Sequence, residues 1–168
     1  MTRWAVMVTT VFGLSATSHA EAQQWMLGGH GAVATGLEGG DPGRGETTFR
    51  RARTRLSAGL DLRVDEAPKD GFGLVVFTEL EPHVSVGGEL RYLRWFGPSV
   101  VGFVGATGTF APRTLLGADF GIQFHVGEFS GGSFFLEPSF SALPLGTDLP
   151  SDRVLFWGLL SGGIHATL

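Results

Sequence analysis

The chain has no cysteine, which excludes a small disulfide scaffold and leaves stability to backbone pairing and packing. Lysine is nearly missing as well, with Lys69 the single one in 168 residues. Charged residues make up 17%, against roughly 25% in ordinary soluble domains. A net charge of -4 and a pI of about 5.7 provide no basic surface of the kind that phosphate binding needs, so a nucleic-acid partner is excluded. Beyond the N-terminus no run of about 18 uninterrupted apolar residues occurs, and no transmembrane helix is expected. Helical periodicity long enough to rival a period of two is also lacking.

What is present begins with an export signal. Arg3 supplies a positive start, "WAVMVTTVFGLSAT" an apolar segment, and "SHAEA" small residues for cleavage after Ala20 or Ala22. Residues 1–22 are read as a signal peptide and 23–168 as one mature domain, a size natural for a single barrel. Turn signals then recur at short intervals among 27 glycines and 8 prolines, and the class is all-β. Strands are expected over 25–37, over 53–64 extended back toward Phe49, and over 71–81, 83–96, 99–110, 113–126, 133–143 and 153–168. Flexible loops are expected at 38–47 and 144–152. This gives about eight strands of up-and-down order. Pro138 interrupts the seventh, and its missing N–H predicts a bulge or a local end to pairing.

These strands are two-faced. In "RTRLSAGLDLRV" the apolar parity is Leu56, Ala58, Leu60, Leu62 and Val64, while Arg53, Arg55, Ser57, Gly59, Asp61 and Arg63 hold the other. The sixth strand repeats this, with Leu116, Ala118, Phe120, Ile122, Phe124 and Val126 opposite Gly117, Asp119, Gly121, Gln123 and His125. Alternation assigns opposite faces, and three features turn the apolar face outward to lipid. Glycine recurs on the polar parity, as a narrow interior requires. Strand cations are arginines, at 53, 55, 63, 91 and 94, whose planar guanidinium groups suit enclosed carboxylate pairing. The strands, at about 11 to 14 residues, exceed the soluble mean of about 5 to 6 and match a tilted membrane crossing.

With this export signal, this strand pattern and phrases such as "HVSVGGELRYL", the mature chain resembles the small eight-stranded outer-membrane barrels of Gram-negative bacteria, the class of the outer membrane protein A transmembrane domain and the opacity-like proteins. The resemblance implies an up-and-down transmembrane barrel in the bacterial outer membrane. Its partners would be outer-membrane lipid, lipopolysaccharide and the barrel-insertion machinery. Members typically end on an aromatic residue, whereas this chain ends on Leu168. The resemblance carries over no particular activity.

Arg53, Arg55, Asp61, Arg63, Glu79, Glu89, Arg91, Asp119 and Glu137 share the polar parities and are expected to converge inside the barrel as a structural cluster that plugs the lumen, since enclosed charges must be paired or wetted. A conducting pore is the sharper alternative, but about eight strands leave little bore. His83, Ser85 and Glu89 share one face of the fourth strand, a coarse likeness to outer-membrane lipid A deacylases. Adjacent same-face positions stand about 7 Å apart, which strains contact between base and nucleophile. His30, His125 and His165 lie on different strands without close ligand spacing, so no metal site and no cofactor is predicted. Trp25, Tyr92, Trp95, Phe96, Phe110 and Trp157 are expected at strand ends, forming a girdle at the headgroup boundary. The function read from these features is non-enzymatic: membrane integrity, adhesion or surface contact through the loops. A lipid-modifying hydrolase and a soluble periplasmic lipocalin-like binder are the alternatives.

Overall fold

A computed structural model of the chain describes residues 25–40, 51–64, 69–147, 149 and 153–168. The signal peptide read over 1–22 lies outside these residues, as do positions 41–47 of the first expected loop. Eight strands follow one another: β1 (Trp25–Gly40), β2 (Arg51–Val64), β3 (Asp70–Glu81), β4 (Ser85–Trp95), β5 (Val100–Ala111), β6 (Leu115–Phe129), β7 (Gly132–Gly146) and β8 (Leu155–Thr167). Each pairs antiparallel with its sequence neighbours, and β1 closes the barrel on β8, with Gly28 opposite Thr167 and Gly40 opposite Leu155. Closure leaves no unpaired sheet edge, the condition for placing β-structure in hydrocarbon.

The two faces sort as their periodicity dictates. On β2, Leu56 and Leu60 are 45% and 52% exposed, while Arg53 and Arg55, which precede them on the inner parity, are 5% exposed. On β6, Phe120 and Ile122 face outward and Asp119 is buried. Lipid-facing aromatics pack across strands, Phe120 against Phe140 at 5.6 Å and Phe140 against Phe156 at 5.7 Å. A soluble barrel turns its apolar face inward. The opposite sorting removes the lipocalin-like reading.

The interior is not wholly polar. Phe77, Leu143, Leu155 and Trp157 form one buried apolar cluster, and Leu93, Val101 and Phe103, with Trp95 against them, form another. Two members of the expected girdle are therefore internal: Trp157 is fully buried, and Trp95 packs inward. Residues 155–160 are apolar on both parities, so alternation alone could not assign Trp157 a face. Arg94 departs in the other direction. Its side chain is half exposed on the outer parity and pairs with Asp70 at 3.3 Å.

Strand ends also differ from expectation. β1 runs through Gly40 because β8 pairs with it as far as Leu155, so Glu38 belongs to a strand and not to a loop. β6 and β7 meet in a tight hairpin in place of the turn read over 127–132. Gly131, at φ +91°, supplies the left-handed residue such a hairpin demands. Along β6 and β7 the partners run to Gly121 and Ser139 and resume at Phe124 and Leu136. Pro138 stays opposite Leu160 on β8. Pairing thus lapses at Pro138 on one side only, and the register shifts lie elsewhere, at Leu116/Ala118 and His125/Gly127.

Candidate functional site

The inward parities of β1, β2, β3, β4 and β7 project an alternating series of acids and bases along the lumen. At the end of the barrel where β1 finishes, Arg53 donates from Nε to Glu38 Oε2 at 3.1 Å and from Nη1 to Glu79 Oε2. Arg55 then joins Glu79 Oε1 (2.9 Å) to Glu89 Oε1 (2.6 Å). Arg91 continues from Glu89 Oε2, which accepts from its Nε at 2.8 Å, to Glu137, gripped through both oxygens at 3.0 and 3.1 Å. Every member of this chain is less than 9% exposed.

Aromatic rings support the three guanidinium groups. Arg53 lies 4.0 Å above the Trp157 ring, Arg55 3.8 Å above Phe77 and Arg91 4.0 Å above Phe103. The electron-rich faces add cation–π attraction, which is strongest where water is excluded. They also hold each planar group so that its N–H fork meets the carboxylates. Trp157 does both tasks, since its Nε1 donates to Glu38 Oε2 at 3.1 Å. Thr107 (3.5 Å to Glu89) and Gln123 (3.2 Å to Glu137) occupy further acceptor positions.

Of the nine residues singled out in the sequence, Arg53, Arg55, Glu79, Glu89, Arg91 and Glu137 lie in this one chain of contacts. Asp119 is buried among Arg55, Glu89, Arg91 and Glu137, and its Oδ1 has no hydrogen-bond partner among the described residues. Asp61 and Arg63 lie instead in the mouth at the other end, where β1 begins. There Asp61 meets His30 Nδ1 at 2.9 Å and His165 Nε2 at 3.5 Å, and Arg63 reaches Met26 Sδ at 2.8 Å. Sequence reasoning missed Glu38, Trp157 and the aromatic supports Phe77 and Phe103. Glu38 shares the parity of His30 and Ala34, a signal hidden only by ending the strand three residues early.

Two mouths flank the charged chain. A cavity of about 260 Å³ where β1 begins is lined by His30, Asp61, Arg63, Trp95, His125 and His165, among others. One of about 410 Å³ at the opposite end is lined by Glu38, Arg53, His83, Ser85, Arg113 and Leu149, among others. Between them, among the described residues, a space of about 10 Å³ lies beside Arg55, Glu89, Arg91 and Glu137. That is about the room one water needs. His83 and Ser85 do share the larger mouth, but the Ser85 hydroxyl is hydrogen-bonded to Glu79 Oε2 (3.2 Å), a carboxylate already held by two arginines. That partner does not activate a nucleophile.

No protein-family model and no curated protein matches the chain. Among solved structures it is similar to Ail, the attachment invasion locus protein of Yersinia pestis, with 12% identity and a TM-score of 0.44 over 82% of this chain and 97% of that one. It is likewise similar to Ail in complex with the heparin analogue sucrose octasulfate, with 12% identity and a TM-score of 0.42 over 82% of this chain and 98% of that one. The closed eight-stranded ladder, the apolar exterior and the enclosed charges are together the architecture of small transmembrane β-barrels, and the chain has that fold.

Proposed function

We propose that the barrel is a non-conducting membrane anchor whose interior charges form a structural plug, and that it acts through contacts made by its loops at the cell surface. The constriction beside Arg55, Glu89, Arg91 and Glu137 carries this reading. A water-filled path would need a gap along the axis, and salt bridges from Glu38 to Glu137 occupy the lumen instead. Both ends of the described chain, Trp25 and Leu168, lie at one end of the barrel. With that end in the periplasm, the opposite end of the barrel, where β1 and β7 finish and β2 and β8 begin, faces the outside, where loops carry recognition. The exterior contacts outer-membrane lipid and lipopolysaccharide, and assembly proceeds through the barrel-insertion machinery.

Planar-bilayer recording tests the plug. The purified barrel should add no steady current above the bare membrane, and a double variant that removes opposed partners, Arg55→Ala with Glu89→Ala, should introduce one. Stepwise conductance from the unaltered protein would refute the plug and favour a pore.

A further inference from the structure

Three histidines that the sequence scatters over β1, β6 and β8 meet in the mouth where β1 begins. His30 and His165 are direct cross-strand partners, and both turn to one oxygen of Asp61 on β2. Their donor atoms lie 2.9 and 3.5 Å from Asp61 Oδ2. A tetrahedral centre with bonds of about 2.0 Å separates its ligand atoms by about 3.3 Å, so the observed spacings bracket that of a coordination shell. The ring of His125 stands edge-on to that of His165, 5.6 Å between centroids. Its Nδ1 is occupied by the Ser133 hydroxyl at 2.6 Å, the kind of outer partner that orients a ligating imidazole and leaves Nε2 facing the ion.

The backbone makes room for these rings. A Cβ at position 28 would stand 2.7 Å from His165 Nε2, and one at position 59 only 2.4 Å from His30 Cε1. Gly28 and Gly59 are thus the recesses in which the two imidazoles sit. The cavity of about 260 Å³ in front of them opens to solvent.

We propose that Asp61, His30 and His165, with His125 as a fourth ligand, bind one divalent transition-metal ion of the zinc class. Imidazole nitrogens with a single carboxylate suit zinc, copper or nickel and do not suit calcium or magnesium. Among the described residues no three such side chains are already arranged to hold an ion; Asp61 Oδ2 instead lies against both imidazoles, 2.9 Å from His30 and 3.5 Å from His165. Binding exchanges those two contacts for coordination, and His125 joins through Nε2 while Ser133 keeps its Nδ1.

Cobalt(II) provides the probe, because its visible absorption is intense in a tetrahedral nitrogen and oxygen shell and weak in the aqua ion. The barrel is refolded in detergent without an affinity tag and titrated with cobalt, and zinc is then added. An intense band saturating at one equivalent per chain and lost on addition of zinc is expected. His165→Gln and Asp61→Asn should each weaken binding at least tenfold, whereas His83→Gln, in the opposite mouth, should leave it unchanged. Closure of each variant is read from the mobility of unboiled protein. Where a variant fails to close, the unaltered barrel decides alone: a saturating tetrahedral spectrum supports the site and an aqua-ion spectrum overturns it. Wild-type affinity in a closed His165→Gln or Asp61→Asn barrel also overturns it.

Discussion

Replacing Arg55 by methionine tests whether the interior charges carry stability. Arg55 bridges Glu79 and Glu89, lies on the Phe77 ring and is almost wholly buried. Methionine keeps most of the volume and removes the charge, so the effect is electrostatic and not a matter of a cavity. Two carboxylates lose a partner, although Arg53 still reaches Glu79 and Arg91 still reaches Glu89. Breaking a buried pair from one side costs about 3 to 5 kcal/mol, and the retained arginines place this variant at the lower end, about 3 kcal/mol. With a urea dependence of about 2 kcal/mol per molar, the unfolding midpoint falls by about 1.5 M, which is readable from the fluorescence of buried Trp157. A second substitution, Glu89→Gln, should restore part of the loss, since it removes one of the two carboxylates left short of positive charge. The double-mutant cycle then gives a coupling of about 1 to 3 kcal/mol. A midpoint within about 0.3 M of the unaltered protein, or strictly additive single effects, would refute the reasoning.

Other consequences follow from the two faces and the seam. Val76→Arg, at the middle of β3 on the lipid face and 58% exposed there, should cost about 2 to 4 kcal/mol in equilibrium folding into bilayers. Gly36→Ala would drive a Cβ to 2.0 Å from the Gly158 carbonyl oxygen on β8, so the closing seam must shift at a cost of about 1 to 3 kcal/mol. The fraction of unboiled protein running as a closed barrel on a gel should drop. Pro138→Val returns an N–H to β7 where pairing with β6 lapses, and should stabilise the barrel by about 1 kcal/mol in the same urea assay. Ser85→Ala removes only the bond to Glu79 and should lower stability by about 1 kcal/mol without changing lipid composition in cells, whereas an altered lipid profile would revive the hydrolase reading.

The alternation in β2 and β6 separated the two faces, because side chains in a strand can point only two ways and arginines and leucines fell on opposite parities, while glycines on the polar parity, arginines in the strands and strand length turned the apolar face to lipid. Eight strands and their order followed from the turn signals between them, and the interior position of Arg53, Glu79, Glu89 and Asp119 from the shared polar parity. Alternation failed where both parities were apolar, as around Trp157, and where glycines blurred a strand end, as at Glu38. Proximity around the barrel was not legible at all. Which acid faces which arginine, and that His30, His165 and Asp61 share one mouth, depend on register and on the joining of β1 to β8. Periodicity along a chain assigns each residue a face, but contacts between strands far apart in sequence are set by hydrogen-bond register and closure, and only the assembled barrel determines those.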